Sequence, residues 1–367
     1  MNDNIFAPHY TITPAIDSAI EDIERQLWLV NNMLLMPKHE AWLRREIKVK
    51  RAAGTTRIEG ATLDETGVRN LLGDGGVRNP TPDEQANINA LQAYDFIDFL
   101  SDQADIPIDE LVMRQLNRFF MTGAPDTVTP GVYRKGQNTV GNYTPPDQGG
   151  VPGLMRSFAL WLRQDTDDVH PVARAGIAHI HSVAIHPFWD GNGRTARGLT
   201  TLILQRSPFS FRKLLALENY LFQDRDSYFT AIERTLGTSF SRGYDATPWL
   251  EFFALALDRH VSEFVAYLTD WHRRMQEVYR VGTEKGWIPR QVDGLWFALQ
   301  TGKITRPEYI EITGVSPVTA SRDLAEMVEA GALVPVGKTR ARVYYPVREG
   351  SVLTGEPPEE HLSLPVE

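Results

Sequence analysis

The most informative stretch of the chain is HPFWDGNGRTAR, residues 186–197. Its segment Gly191-Asn192-Gly193 tolerates the positive φ angles that turn successive backbone N–H groups inward, which predicts an anion-binding nest. The residues that follow begin an apolar helical pattern, so the nest is predicted at a helix N-terminus. Free N–H groups and the helix dipole favour phosphate there. The stretch therefore predicts helical surroundings and a phosphate-binding site.

Four side chains of this stretch have the chemistry that a nucleoside triphosphate site needs. Arg194 and Arg197 are three residues apart and share a helix face, and each guanidinium can donate two hydrogen bonds to phosphate oxygens. Asp190 is a hard oxygen ligand placed to hold Mg²⁺ beside the same phosphates. His186 has the side chain best suited to accept a proton from a hydroxyl at neutral pH.

The stretch resembles the signature of the Fic family, His-x-Phe-x-Asp/Glu-Gly-Asn-Gly-Arg-x-x-Arg, and agrees with it at every fixed position. Fic enzymes mostly transfer AMP from ATP to a hydroxyl of a target protein. The resemblance implies that His186 is the general base and that Asp190 is the Mg²⁺ ligand. It also implies that the nest binds the α- and β-phosphates, that Arg194 and Arg197 bind the outer phosphates, and that Phe188 anchors the loop in the core. The residues of the stretch expected to bind ATP are Gly191, Asn192, Gly193, Arg194, Thr195, Ala196 and Arg197.

Composition and charge indicate how many domains the chain has and which partners and kinds of site are excluded. The chain has 367 residues, of which 42% are hydrophobic and 23% charged, and its formal net charge is −9. We expect two or three domains and no general attraction to nucleic acid or to an anionic membrane. The absence of cysteine excludes disulfides, thiol catalysis and zinc–cysteine sites. With no apolar run long enough to span a bilayer and no signal-peptide pattern at the start, we expect a cytoplasmic protein without membrane contact.

Helical periodicity dominates residues 17–280, which predicts an all-α fold. Apolar spacings of three and four over residues 17–58 predict one or two helices, interrupted at Pro37. Further helices are predicted over residues 83–101, 108–121 and 172–185. The expected regions are an N-terminal helical region at 1–105, a Fic-type helical core at 106–282, a winged helix-turn-helix domain at 288–347 and a tail at 348–367.

Residues 129–151 are rich in turn-forming and β-forming residues, which predicts a loop with a short β-hairpin. Without the signature this would be an ordinary surface loop. With it, the segment resembles the family's flap, an exposed edge that aligns an extended segment of the target protein by main-chain pairing. The residues expected to dock the target are Thr139, Val140, Gly141 and Asn142.

Two histidines precede the signature on a predicted helix, His179 and His181. Their spacing differs from the i, i+4 spacing of a helical ligand pair, and no His-Glu-x-x-His motif is present. We therefore expect them to pack or to form hydrogen bonds rather than to bind zinc.

Two aromatic residues are candidates for the adenine contact, Tyr228 and Trp249. Tyr228 begins a helix where the family usually has paired aromatic residues near the adenine, so we expect it to bind ATP. The family's asparagine one or two turns further on is not evident, since Thr235 stands there.

Trp249 is open to two interpretations. It stacks on a base, or it lies near the start of a helix with Thr247 as N-cap and Pro248 at the first helical position.

Glu59 lies at the end of another helical stretch, just before Gly60, which is a typical helix C-cap. A carboxylate in the last turn opposes the helix dipole, so we expect a cationic partner for Glu59. Thr55, Glu59 and Gly60 also match the inhibitory motif of Fic proteins, Ser/Thr-x-x-x-Glu-Gly/Asn. The resemblance implies that Thr55 and Glu59 inhibit the enzyme, with Glu59 at the ATP site and paired with Arg197.

The C-terminal region has the pattern of a separate module. Helices are predicted at 308–312 and at 317–330 with Ser316 as N-cap, followed by strands at 333–336 and 342–345. This pattern resembles the winged-helix domains often attached to Fic proteins. Because residues 290–347 hold seven basic and six acidic side chains, DNA contact and protein docking both remain open. The residues that would face DNA are Thr319, Ser321, Arg322, Lys338, Arg340 and Arg342.

Two classes of function follow from these patterns. The first is a Fic-type adenylyltransferase that uses ATP and Mg²⁺, modifies Tyr, Thr or Ser hydroxyls of target proteins and of itself, and is inhibited through Glu59. The second is a DNA-binding regulator that uses the Fic core as a nucleotide sensor. Other donors and AMP removal also remain open, because the motif recognises phosphates better than bases. The oligomeric state is open too, with a homodimer among the alternatives.

Overall fold

A computed structural model describes residues 5–33, 35, 37–72, 77–164, 168–338 and 342–347. The chain divides into two compact units, residues 1–262 and 263–367. The boundary predicted after residue 105 lies inside the first unit, and the one predicted after residue 282 lies inside the second. None of the helices within the described ranges is both long enough and apolar enough to cross a membrane.

The first unit is helical. It contains one 3₁₀ helix among its described residues, Pro208–Lys213. The α-helices are α1 Pro14–Asn32, α2 Pro37–Ile58, α3 Glu65–Asn70, α4 Pro82–Ser101, α5 Glu110–Phe120, α6 Val151–Arg163, α7 Pro171–Ile185, α8 Asn192–Gln205, α9 Leu217–Gln223, α10 Arg225–Leu236 and α11 Thr247–Glu284, which continues into the second unit.

The centre of the first unit is the pair α7 and α8, which pack on each other and are buried along most of their length. Helices α4 and α5 pack on α8, and α2 packs on α4 and α9. Short polar side chains begin several of these helices: Thr13 caps α1, Thr81 and Glu84 form a capping box on α4, and Asp109 caps α5. The helices predicted from residue 17 onward are confirmed, and Pro37 begins α2 because proline suits a first helical position.

The predicted β-hairpin is shorter than expected. Within residues 129–151, Val140 and Tyr143 form a single antiparallel bridge, each N–H donating to the other's carbonyl at 2.9 Å. Pro145 and Pro146 follow after Thr144, and their lack of N–H groups prevents a longer ladder. The segment, which we call the flap, is also attached by bridges between Thr144 and Ser239 and between Tyr133 and Phe188.

The second unit combines helices with a small antiparallel sheet. Ser316 caps the helix that begins at Pro317 by accepting a hydrogen bond from the Thr319 N–H, as predicted. The sheet has three strands in the order Ile304–Thr305, Val343–Pro346 and Leu333–Val336, and Val334 pairs with Tyr345. The predicted winged-helix class requires helices and strands in this order, and the class itself stays a prediction. After α11 the elements are α12 Pro289–Thr301, β1 Ile304–Thr305, α13 Arg306–Thr313, α14 Pro317–Glu329, β2 Leu333–Val336 and β3 Val343–Pro346.

Candidate functional site

The loop between α7 and α8 holds the candidate site. His186 ends α7 in the left-handed region, with φ 47° and ψ 59°, and its N–H donates to the Ser182 carbonyl at 3.1 Å. Gly191, with φ 77°, precedes the first residue of α8. A Cβ atom at position 191 would lie 2.7 Å from Met121, so glycine is needed there for space as well as for backbone angle. A left-handed residue at each end gives the loop its sharp reversal.

The predicted nest is a helix N-terminus. Of the Gly-Asn-Gly segment, Gly191 has a positive φ, whereas Asn192 and Gly193 already lie in α8. The Asn192 side chain is occupied by the loop itself, because its Oδ1 accepts from the Phe188 N–H and its Nδ2 donates to the Phe188 carbonyl, both at 2.9 Å. Phe188 is buried, as expected of the loop's anchor. An anion would therefore meet the backbone N–H groups of the first turn of α8.

A second asparagine, Asn117 of α5, stabilises the loop by hydrogen bonds to its backbone and to a side chain of α8. Its Nδ2 donates to the Asp190 carbonyl at 2.9 Å and to the Thr195 hydroxyl at 3.3 Å, and its Oδ1 accepts from the Gly131 N–H at 2.8 Å. The Thr195 hydroxyl donates to the Gly191 carbonyl, so this side chain also supports the backbone. Sequence reasoning missed Asn117; a buried asparagine on an apolar helix face was the available signal.

Arg134 connects His186 to the flap. Its Nε donates to the His186 carbonyl at 2.9 Å, its Nη1 donates to the Gly136 carbonyl at 3.0 Å, and its Nη2 donates to the Pro146 carbonyl. The side chain is 4% exposed. Arg134 therefore joins both sides of the flap's turn, at Gly136 and at Pro146, to His186, the residue that ends α7.

The His186 ring is neutral at pH 7. Burial, and secondarily the Arg134 guanidinium, lower its pKa to about 4, although a backbone hydrogen bond at Val183 and the carboxylates of Glu59 and Asp190 act in the opposite direction. The neutral form can accept a proton. This pKa is lower than the ordinary histidine value that the sequence alone suggests, because the sequence does not show the burial.

The Arg197 guanidinium contacts Thr55, Glu59 and Tyr228, and the residue is 2% exposed. Its Nη2 lies 2.6 Å from Glu59 Oε1, which provides the cationic partner predicted for Glu59. Its Nε donates to the Thr55 hydroxyl at 2.9 Å and its Nη2 to the Thr55 carbonyl at 3.0 Å. Burial raises the pKa of Glu59, but Arg197, with smaller effects from Arg194 and Arg225, lowers it below its usual value. The structure thus places Thr55, Glu59 and Arg197 together.

The Glu59 carboxylate lies against the first turn of α8. A Cβ atom at position 193 would stand 2.5 Å from Glu59 Oε1 and 3.1 Å from Arg197 Nη1. Glycine at this position therefore makes room for the ion pair, and its φ is not positive. A carboxylate at a helix N-terminus is itself favourable.

Asp190 is the acidic side chain of the loop and is exposed to solvent. Its side chain is 56% exposed, its Oδ1 accepts from the Gly191 N–H at 2.5 Å, and Arg194 Nη2 lies 3.5 Å from the same oxygen. Within the described ranges no group of three or more histidine, aspartate or glutamate side chains could hold a metal ion. A single exposed carboxylate is the donor set expected when Mg²⁺ is shared with phosphates.

The histidines on α7 form hydrogen bonds, as predicted. His179 contacts the Thr200 hydroxyl and the Tyr228 hydroxyl, both at 3.0 Å, and His181 contacts the Tyr244 hydroxyl at 3.1 Å. Tyr228 is 1% exposed, and Arg197 Nη1 lies 3.4 Å from its hydroxyl. Its adenine contact stays a prediction, since the observed contact is with Arg197.

Trp249 is part of the core. Its side chain is fully buried, and its Nε1 donates to the Gly176 carbonyl at 2.8 Å. The interpretation as a helix-start residue is therefore the better one. The helix begins one residue earlier than predicted, because the Asp245 carboxylate accepts from the Thr247 N–H at 3.0 Å and caps it.

The flap residues Thr139, Val140, Gly141 and Asn142 lie at the turn closed by the Val140–Tyr143 bridge. Val140 is 42% exposed. Trp189, which was not predicted from the sequence to take part in the site, is 47% exposed and lies against Gly136 of the flap. Docking of a target segment here stays a prediction.

The residues predicted to face DNA belong to the second unit. Thr319 and Ser321 form local hydrogen bonds, to Ser316 and to the Pro317 carbonyl. Arg322 is 64% exposed, and its guanidinium lies 3.7 Å from Glu326. The remaining predicted positions are Lys338 and Arg342, which are described, and Arg340, which lies outside the described residues.

Comparisons with known proteins agree with this geometry. A Fic/DOC family model matches residues 107–204. The chain is 27% identical to a protein adenylyltransferase Fic of Drosophila persimilis over 264 residues, which cover 70% of this chain and 48% of that protein. It is 31% identical to the protein of that name from Nematostella vectensis over 184 residues, which cover 49% of this chain and 40% of that protein. The chain thus spans about half the length of these relatives, or less.

The fold has solved counterparts as well. A crystal structure of a Fic family protein from Desulfovibrio desulfuricans G20 matches with a TM-score of 0.62 and 24% identity, covering 94% of this chain and all of that one. This likeness concerns the fold. The family model and the named relatives show that residues 107–204 are a Fic/DOC family domain.

Proposed function

We propose that the chain is a protein adenylyltransferase, which transfers AMP from ATP to Ser, Thr or Tyr hydroxyls of target proteins and of itself. The observation that carries the proposal is the loop from α7 to α8. It places the neutral imidazole of His186 at one end and the N-terminus of α8, with Arg194 and Arg197 on its first turns, at the other. The names of the relatives support the same activity.

The residues suit the chemistry of this transfer. His186 takes the proton of the attacking hydroxyl, whose oxygen forms a bond to the α-phosphorus, while the bond from that phosphorus to the β-bridging oxygen breaks and pyrophosphate leaves. The N–H groups at the start of α8 bind the phosphates and stabilise the charge that develops on them. Arg194 and Arg197 bind the outer phosphates.

Asp190 is the residue that we propose for Mg²⁺. Its carboxylate is exposed and lies beside the helix N-terminus where the phosphates bind. Mg²⁺ is usually held by one or two carboxylates together with substrate phosphates, and Asp190 fits that role. When bound, the ion would neutralise part of the phosphate charge.

Glu59 inhibits the enzyme in this proposal. Its carboxylate occupies the Arg197 guanidinium and lies against the first turn of α8, so it competes with the outer phosphates of ATP. ATP then binds with its α-phosphorus misplaced for attack, and such reactions are sensitive to small misplacements.

Labelling with α-³²P-ATP tests the function. We expect weak self-labelling of the wild-type chain, strong self-labelling of Glu59→Gly, and none when Glu59→Gly is combined with His186→Ala. Calorimetry should show that the double variant still binds ATP, because the phosphate-binding groups are intact. A nucleotide sensor without transferase activity would bind ATP and label no protein in any variant, and that result would overturn the proposal.

A further inference from the structure

Asn117 is a buried side chain on α5 that joins two distant segments of the site. The residue is 1% exposed. Its Nδ2 donates to the Asp190 carbonyl at 2.9 Å and to the Thr195 hydroxyl at 3.3 Å, and its Oδ1 accepts from the Gly131 N–H at 2.8 Å. Because Oδ1 faces a donor and Nδ2 faces a carbonyl, these partners fix the orientation of the amide.

The bond from Asn117 fixes the peptide group between Asp190 and Gly191. The carbonyl and the N–H of a trans peptide lie in one plane and point in opposite directions. Since the Asp190 carbonyl is held towards α5, the Gly191 N–H points away from α5, and it donates to Asp190 Oδ1 at 2.5 Å. A single peptide group therefore connects the Asn117 amide to the Asp190 carboxylate.

The backbone on the other side of Gly191 is held as well. The Thr195 hydroxyl, which accepts from Asn117, donates to the Gly191 carbonyl at 2.7 Å. A Cβ atom at position 191 would stand 2.9 Å from Asn117 Nδ2, so glycine is needed for this close approach. The amide thus supports both peptide groups that flank Gly191.

Gly131 keeps the Asn117 amide turned towards the loop between α7 and α8. Its N–H donates to Asn117 Oδ1 at 2.8 Å, and its carbonyl accepts from Arg114 Nε at 2.7 Å. Arg114 and Asn117 both belong to α5, so this helix holds Gly131 on two sides. With Oδ1 fixed in this way, Nδ2 stays directed at the Asp190 carbonyl.

We propose that Asn117 is a positioning residue for Asp190, whose carboxylate it holds, through the Asp190–Gly191 peptide group, in the orientation that shares Mg²⁺ with the phosphates of ATP. The Asp190 side chain is 56% exposed, and its contact with Arg194 is longer, at 3.5 Å. Hydrogen-bonded partners that orient a metal ligand typically contribute about 10–100-fold to metal affinity. The proposal rests on the proposed function, because it takes Asp190 as the Mg²⁺ ligand.

Calorimetry of ATP binding, with Mg²⁺ and with EDTA, tests the proposal in the Glu59→Gly protein. Asn117→Leu keeps the size of the side chain and removes the donor. We expect it to reduce the gain in ATP affinity due to Mg²⁺ about tenfold. The affinity in EDTA should be unchanged, because the N-terminus of α8 and its arginines remain. Asn117→Ala should behave in the same way, so the test does not depend on the folding of one variant.

A double-variant cycle with Asp190→Ala shows whether Asn117 acts through Asp190. Asp190→Ala should abolish the gain due to Mg²⁺, and adding Asn117→Leu should then have no further effect. A merely structural role of Asn117 would weaken ATP binding equally with Mg²⁺ and with EDTA. That result, or a further loss in the double variant, would overturn the proposal.

Asn89→Leu is the matched control. Asn89 of α4 is 3% exposed, and its Nδ2 donates to the carbonyls of Phe120 and Thr122, at 3.3 and 2.7 Å. Its Oδ1 accepts from Gln85. It is thus a buried asparagine that holds backbone at the end of α5 rather than the loop between α7 and α8. Asn89→Leu should keep the full gain due to Mg²⁺, and an equal fall in Asn89→Leu and Asn117→Leu would contradict the positioning role.

The same measurements separate this proposal from the proposed function. If the Glu59→Gly protein binds ATP but labels no protein, the transferase proposal fails, and the gain due to Mg²⁺ still decides the role of Asn117. If Asp190→Ala keeps the full gain, the assignment of Mg²⁺ to Asp190 fails and the positioning role is overturned with it. A gain that is lost in Asp190→Ala but kept in Asn117→Leu overturns the positioning role alone.

Discussion

Gly54, in the middle of α2, lies directly against the backbone of Asn219 in α9. A Cβ atom at position 54 would stand 2.5 Å from both the Cα and the N atoms of Asn219. Ala53 and Thr55, its neighbours in sequence, are fully buried. The helix that ends just before Glu59 is therefore part of the core of the first unit and not a lid over it. For the inhibition proposed above, this packing favours relief by displacement of the Glu59 side chain over undocking of α2.

Gly54→Ala should destabilise the protein. The added methyl group meets backbone atoms that cannot move aside as a side chain could, and such overpacking typically costs about 1–3 kcal/mol. Urea unfolding should show a lower midpoint. Gly243→Ala is the control, because nothing lies within 4 Å of a Cβ atom there. Equal midpoints for Gly54→Ala and wild type would contradict the close packing of α2 on α9.

Glu59→Gly should raise self-modification strongly. The substitution frees Arg197, whose Nη2 lies 2.6 Å from Glu59 Oε1, to bind ATP. If the ion pair is coupled to ATP alignment by about 3 kcal/mol, the rate rises roughly a hundredfold. Arg197→Ala should be inactive with or without Glu59, since the inhibitor and the substrate use the same guanidinium. Initial rates of labelling are the measurement, and equal rates for wild type and Glu59→Gly would refute inhibition by Glu59.

Arg134→Lys should slow transfer even though it keeps the charge. A lysine ammonium cannot reach the three carbonyl groups of His186, Gly136 and Pro146 with the fork of donors that arginine supplies. A shift of about 1 Å at His186 is enough to cost roughly a hundredfold in rate. Self-modification in the Glu59→Gly background is the measurement. Lys135→Ala changes the exposed neighbour and should leave the rate unchanged; a similar loss in both variants would point to a general effect of flap charge.

The local parts of the structure could be predicted from the sequence. The helices depend on residues a few positions apart in sequence. The same is true of the positive φ at Gly191, of the N-cap Ser316 and of Gly60, which follows the end of α2 with a positive φ. The pairing of Glu59 with Arg197 was also accessible, because a carboxylate in a last helical turn needs a cation and the family motif names its partner.

Contacts between distant segments could not be predicted in the same way. Gly193 was expected to need a positive φ, but it is needed because Glu59 lies beside it. The supports from Asn117 and Arg134, and the hydrogen bond between Tyr94 and Glu218, join residues that are far apart in sequence. Their roles follow from how the helices pack, which a single sequence does not display.

Three of the buried histidines in the first unit make its stability depend on pH. Burial lowers the pKa values of His179, His181 and His260 from 6.5 to about 3. Each ring is uncharged in the folded protein at neutral pH, and its neutral form is hydrogen-bonded; His260 Nε2, for example, accepts from the Ala216 N–H at 3.0 Å. The unfolded chain binds a proton at each of these rings at a higher pH than the folded chain does.

The free energy of unfolding should therefore fall as the pH decreases. The contribution of these groups is fully present above pH 6.5, the unfolded value, and is lost as the pH falls towards about 3, the folded value. Each histidine contributes a slope of about 1.4 kcal/mol per pH unit within that window. Urea unfolding between pH 7.5 and pH 5 is the measurement. His260→Gln should reduce the slope by about 1.4 kcal/mol per pH unit, the contribution of one histidine. A pH-independent midpoint in the wild-type protein would show that these rings are not held neutral by the fold.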